Sequence, residues 1–130
     1  MSTPTPGTPA GAVVEAIDDM YAAWVERDWE RFDAHLSGDV VAWESHLPEP
    51  IRGLDQLAAH RATRPAPTVM REFRAHGHEV DVWGETAVAR YLLVGEPLDP
   101  AAPRREARVT EVLRWDGERW RITRRHAEAR

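Results

Sequence analysis

From Met70 to its end the chain follows a period-two pattern, and only three interruptions break it: Gly84-Glu85, a proline-rich stretch from Pro97 to Pro103, and Asp116-Gly117. Period two is the signature of extended backbone, because successive side chains on a strand point to opposite faces. The pattern predicts four strands, Met70 to Val82, Thr86 to Gly95, Arg105 to Trp115 and Arg119 to Ala127. An Asp-Gly pair between two alternating runs is a strong hairpin signal, so the last two strands should lie antiparallel.

The first half reads differently. Residues 1–10 are Pro, Thr, Ser and Gly with little to bury, which predicts a disordered leader followed by one domain over 11–130. After Gly11, Val13, Val14, Ile17, Met20, Tyr21 and Trp24 recur at helical spacing and form one apolar stripe. A second, short helix is expected from Trp29 to Leu36, closed by Ser37-Gly38-Asp39. An alternating strand should follow from Val40 to His46, with a break at Leu47-Pro48-Glu49-Pro50. Gly53-Leu54-Asp55 then opens a third helix that ends before Pro65. Helix, helix, strand, helix and a four-stranded meander make an α+β fold. The expected architecture is a curved mixed or antiparallel sheet wrapped around the N-terminal helices, a cone-shaped barrel with an interior pocket.

Composition narrows the chemistry. The 130 residues include no cysteine, and all 17 basic residues are arginine, so thiolate chemistry and lysine Schiff bases are both unavailable. A net charge of -5 argues against nucleic-acid binding. The charge is uneven, however: residues 1–103 carry 8 Arg and 17 acids, and residues 104–130 carry 9 Arg and 5 acids. No apolar run suits a membrane span or a signal peptide, which points to a cytoplasmic protein with no membrane partner. Carboxylates, histidines, tyrosine hydroxyls and arginines remain for chemistry, with no cofactor and no resident metal expected.

The last hairpin shows most clearly which side chains face inward. Ala107, Val109, Leu113 and Trp115 share one face, and Glu111 sits among them; on the next strand Trp120 and Ile122 continue inward, and the same parity carries on to Arg124 and His126. Glu111 either pairs with Arg124 across the hairpin or is a carboxyl perturbed by apolar surroundings. His126 is either an inward group or a half-solvated strand end. On the earlier strand Glu44 shares its face with Val40, Ala42 and His46, unless the face of Trp43 is the buried one. Tyr21 lies on the apolar stripe of the first helix, where a buried hydroxyl must find a partner and can donate to an oxyanion. His76-x-His78 could form a metal clip, or belong to an exposed polar strand.

The strings AIDDMYAAWVERDWERFDAHLSGDVVAW, RGLDQL and EVLRWDGERWRITRRH resemble the nuclear transport factor 2 superfamily of cystatin-like α+β cones, over nearly all of residues 12–127. That superfamily includes SnoaL-like polyketide cyclases and ketosteroid isomerase. Similarity to ketosteroid isomerase implies an oxyanion-hole tyrosine at Tyr21, a general base at Glu44 and a hydrogen-bond-donating acid at Glu111. The resulting expectation is a cofactor-independent acid-base enzyme of isomerase, cyclase or dehydratase (lyase) type, acting on a hydrophobic oxygenated small molecule such as a polyketide-like metabolite. Glu44, Tyr21 and Glu111 would be catalytic, and Arg124, His126, His46, Trp24, Trp43 and His60 would contact substrate. One alternative is a non-catalytic ligand-binding or dimerisation module; another, a metal-assisted enzyme, would use His46, His60 or His126 with Glu44. A homodimer is expected by analogy, through the outer strand face that carries Arg108, Thr110, Val112 and Arg114.

Overall fold

The computed structural model describes residues 7–63 and 69–130. The elements run in the order α1 (Pro9–Glu26), α2 (Trp29–Asp33), β1 (Leu36–Glu44), β2 (Ile51–Arg52), α3 (Gly53–Thr63), β3 (Met70–Trp83), β4 (Thr86–Pro97), β5 (Arg105–Trp115) and β6 (Trp120–Ala129). The six strands form one open sheet in the order β2-β1-β6-β5-β4-β3. All neighbours are antiparallel except β1 and β6, so the sheet is mixed. The expected α+β class and helix-on-sheet layout hold. No helix among the described residues is long and apolar enough to cross a membrane.

Helix α1 begins earlier than its apolar stripe suggests. Thr8 caps it by accepting a hydrogen bond from the Gly11 amide at 3.0 Å, and Pro9 takes the first turn, where its missing N–H costs nothing. The expected leader therefore gives way to helix at Pro9; residues 1–6 of that leader, and the expected stop before Pro65, lie outside the described residues. Arg27 closes α1 in the left-handed conformation at φ 59°. Val13, Ile17, Met20 and Tyr21 are buried and meet Val109, Leu113 and Ile122 from the sheet in the core.

Helix α2 is shorter than expected, because Leu36 already belongs to β1. The Ser37-Gly38-Asp39 segment, read as the end of a helix, instead forms an irregular start to the strand. Between Leu36 and Val41 β1 takes five steps while β6 takes two, from Ile122 to Arg124. Asp19 of α1 ties this region together by accepting from Arg31 Nε at 3.2 Å and lying 2.7 Å from His35 Nε2. The Arg31 hydrogen bonds, against the opposing effect of partial burial and with help from His35, hold the Asp19 carboxyl at about 2, below its ordinary 3.8. A depressed carboxyl stabilises the fold above its unfolded value, and that stability is lost as pH falls from about 4 to about 2. Because Asp19 is 42% exposed, screening limits the effect to under ~1 kcal/mol. Asp19→Asn should be less stable than the parent by that amount at neutral pH, and acid titration of both unfolding curves should show them converging near pH 2.

Two of the sheet's bulges decide which way the candidate site residues point. On β6, Val112 pairs with Arg124 but its neighbour Leu113 pairs with Ile122, which leaves Thr123 as an extra residue. One extra residue reverses the inward parity of everything beyond it. On β3, Gly77 at φ 66° and His78 together oppose Tyr91. Glycine adopts that backbone without the strain a side chain would add. The second bulge places His76 and His78 on opposite faces, so they do not form the metal clip that their spacing allowed. His78 is buried, with its ring 5.3 Å from that of Tyr91.

Candidate active site

Between α1, α2, α3 and the sheet lies a cavity of about 530 Å³. That volume falls within the usual range for small-molecule sites. Its existence follows from small residues: Ala42, Gly95, Ala107, Ala127 and Ala129 line the sheet floor where larger side chains would fill the space. At Gly95 a Cβ would lie 2.6 Å from Cε1 of Phe73, its partner on β3, so Phe73 can cover that floor only over glycine. Met20, Trp24, Phe32, Leu36, Val40 and Leu57 supply apolar walls.

The polar end of the cavity centres on Arg125, which the β6 bulge turns inward. Its Nε donates to Glu44 Oε1 at 3.0 Å. Its Nη1 donates to Tyr21 Oη at 2.7 Å and to Glu111 Oε2 at 2.9 Å. Tyr91 on β4 donates to Glu111 Oε1 at 2.5 Å and lies 2.8 Å from Tyr21 Oη. Glu111 is fully buried, and Tyr21 and Tyr91 are nearly so. Burial pushes the Tyr21 hydroxyl well above its ordinary range despite the Arg125 cation beside it; burial and then the Glu111 charge do the same to Tyr91. Burial works against the Arg125 cation, but Tyr21, Glu44, Tyr91 and Glu111 outweigh it and keep Arg125 protonated.

Hydrogen-bond arithmetic shows what the cluster can offer a ligand. Tyr91 has one proton, and Glu111 takes it; Tyr21 therefore gives its own proton to Tyr91. Both Glu111 oxygens accept, and Glu111 does not line the cavity. Two groups that do line it are unsaturated. Among the described residues no partner takes Glu44 Oε2, and no acceptor takes the two N–H groups of Arg125 Nη2. The polar end thus presents one free carboxylate oxygen and one free charged donor, on two side chains joined by the Nε–Oε1 hydrogen bond.

The expected site residues divide accordingly. Tyr21, Glu44, Trp24, His46 and His60 all line the cavity, and Glu111 is buried behind it. Arg124 and His126 do not line it, which corrects their expected inward placement: the parity that runs through Trp120 and Ile122 breaks at Thr123. Arg124 instead donates to the Asp39 and Thr123 carbonyls, and the His126 side chain is 56% exposed. The partner of Glu111 is Arg125, not Arg124. Trp43 also lies outside, half-exposed and donating to the Leu47 carbonyl at 3.1 Å. The sequence reading missed Tyr91 and Arg125. For Tyr91 the signal was present, a tyrosine in the inward series Ala87, Ala89, Tyr91, Leu93. Among the described residues no three His, Cys, Asp or Glu side chains gather to hold a metal ion.

A family model described as a SnoaL-like domain matches residues 17–123. No curated protein is significantly similar in sequence. Among solved structures, a ketosteroid isomerase candidate from Parabacteroides distasonis shares 21% identity at a TM-score of 0.76, covering 95% of this chain and 89% of its own. The S. rosetta CaMKII hub shares 21% identity at a TM-score of 0.81, covering 97% of this chain and 100% of its own. An NTF2-like protein of unknown function from Pseudomonas putida shares 23% identity at a TM-score of 0.76, covering 91% and 84%. At these identities the likeness establishes the cystatin-like fold.

Proposed function

The chain belongs to the SnoaL-like domain family, and on that premise we propose that it is a cofactor-independent acid-base enzyme acting on a hydrophobic, oxygenated small molecule. The family's fold carries isomerases and cyclases as well as non-catalytic members such as kinase hubs, so the site itself must support the reading. The observation that supports it is the free Glu44 Oε2 and the free Arg125 Nη2, on two hydrogen-bonded side chains at the polar end of a cavity whose middle is walled by apolar residues.

In this reading Glu44 removes a proton from the carbon next to a substrate carbonyl, and Arg125 Nη2 donates to the oxygen as enolate charge develops. The Arg125 cation is fixed before the reaction by Glu111, Tyr21 and Glu44, so little reorganisation accompanies charge development. The role foreseen for Tyr21 and Glu111, direct donation to the oxyanion, passes to Arg125. Tyr21, Tyr91 and Glu111 become positioning residues. Returning the Glu44 proton to another carbon gives isomerisation; attack of the enolate on a second carbonyl gives cyclisation, and loss of a β-hydroxyl gives dehydration. The homodimer expected through the outer face of β5 is part of the same proposal.

A thermal-shift screen of enolisable ketones and esters tests the reading. A ligand at about ten times its Kd raises stability by about 1.4 kcal/mol, roughly 5 °C for a domain of this size. Ala107→Phe, which fills the floor, should abolish those shifts while the protein stays folded. If ligands stabilise both proteins equally, the cavity is not where they bind. A non-catalytic binding module would show the same shifts with no turnover of any hit.

A further inference from the structure

Among the described residues five arginines line the cavity, and their partners differ. Arg61 is held by both oxygens of Asp33 at 2.9 and 2.8 Å. Arg104 pairs with Glu96 at 3.3 Å and Glu106 at 3.4 Å, and Arg125 pairs with Glu44 and Glu111. Arg105 and Arg130, also on the wall, have no carboxylate within ion-pair distance among the described residues. Arg105 is the first residue of β5 and shares the inward parity of Ala107, Val109 and Glu111. Arg130 directly follows the last residue of β6, its amide donating to the carbonyl of Glu106, the residue after Arg105, at 2.9 Å.

The two ends of the cavity therefore differ in charge. At the inner end two carboxylates surround one guanidinium, which leaves a net negative charge. At the outer end the Arg105 cation has no carboxylate within ion-pair distance among the described residues. An anionic group would be repelled from Glu44 and attracted to Arg105, while an apolar body would prefer the walls between. The strand register gives the spacing. Glu44 is level with Ala127, and Ala127 with Val109. Arg105 lies four residues along β5 from Val109, roughly 13 Å at the usual strand rise.

We propose that the substrate is a carboxylate-bearing amphiphile whose anionic head is anchored by Arg105 at the cavity mouth, with its apolar body leading to the reacting carbon at Glu44. Guanidinium suits this task because it meets a carboxylate with two parallel N–H donors. The proposal rests on the enzymatic reading only for the reacting carbon; the anchor itself is a binding claim.

Decanoate and methyl decanoate serve as a matched pair of probes, measured by isothermal titration calorimetry on the full chain. Decanoate should bind about tenfold tighter than the ester, as expected for one charge-assisted contact, and rising salt should erode that preference. Arg105→Gln should remove the preference by weakening decanoate about tenfold and leaving the ester unchanged, and Arg105→Lys should restore part of it. The proposal is overturned if decanoate fails to bind, if the ester binds as tightly as the acid, or if Arg105→Gln weakens both equally. Calorimetric affinity reads binding alone, so this outcome is separate from turnover. An intact anchor together with a catalytically silent Glu44 would remove the acid-base reading and leave the ligand class standing.

Discussion

Replacing Glu111 by alanine should destabilise the protein by about 3–5 kcal/mol, the usual cost of stripping one partner from a buried ion pair. Three losses combine. The Arg125 cation keeps only Glu44 as a charged partner, the Tyr91 hydroxyl loses its acceptor, and a fully buried side chain leaves a void against Val109 and Leu113. In urea unfolding the midpoint should fall by roughly 2 M with little change in slope. The double replacement Glu111→Leu with Arg125→Met separates the charge from the packing. It removes both ions together, and apolar substitutes for a buried pair are often neutral or stabilising, so it should recover most of the lost stability. A loss under ~1 kcal/mol for Glu111→Ala would mean that water reaches Arg125 and that the cluster is not the rigid support described above.

Glu44→Gln should have the opposite profile, with stability nearly unchanged and chemistry lost. Glu44 is partly exposed to the cavity, and a glutamine can still present its amide oxygen to Arg125 Nε. Its removal as a base should slow turnover by at least ~100-fold, the lower end of what a positioned base contributes. Ligand affinity should hold, because the apolar walls and the mouth arginines are untouched. That split, in which kcat falls while KM stays level, marks a group that acts mainly in the transition state. A matched loss of stability and activity would instead mark Glu44 as a structural partner of Arg125.

Much of this arrangement could be read from the chain because burial leaves a period. The apolar stripe from Val13 to Trp24 gave α1, and Val109, Glu111 and Leu113 sharing one parity placed a carboxylate inside the sheet. What escaped the reading are the bulges at Thr123 and Gly77, because a bulge is a break in period and not a residue type. On β6 Thr123-Arg124-Arg125-His126 contains no apolar residue to carry the parity across. The first marker of the new one is Ala127, with Ala129 after it. Those two alanines disagree with Trp120 and Ile122 by one step, and that disagreement is the signal that Arg125, not Arg124, faces the cavity. The bulge on β3 left a clearer mark, since a lone glycine such as Gly77 inside a strand often accompanies one. The early start of β1 left none, because Leu36 fits the α2 face as well as it fits a strand.

The central claim is that Glu44 and Arg125 together remove a proton from carbon at the cavity wall. Deuterium incorporation tests it without knowledge of the final product. A ketone that stabilises the protein in the thermal screen is incubated in D₂O with the parent chain or with Glu44→Gln, and exchange at the carbon beside its carbonyl is followed by proton NMR. The parent should accelerate exchange well above the buffer rate, and Glu44→Gln should exchange at least ~100-fold more slowly at the same ligand occupancy. Equal exchange in the two proteins, or none above buffer for any bound ketone, would contradict the claim.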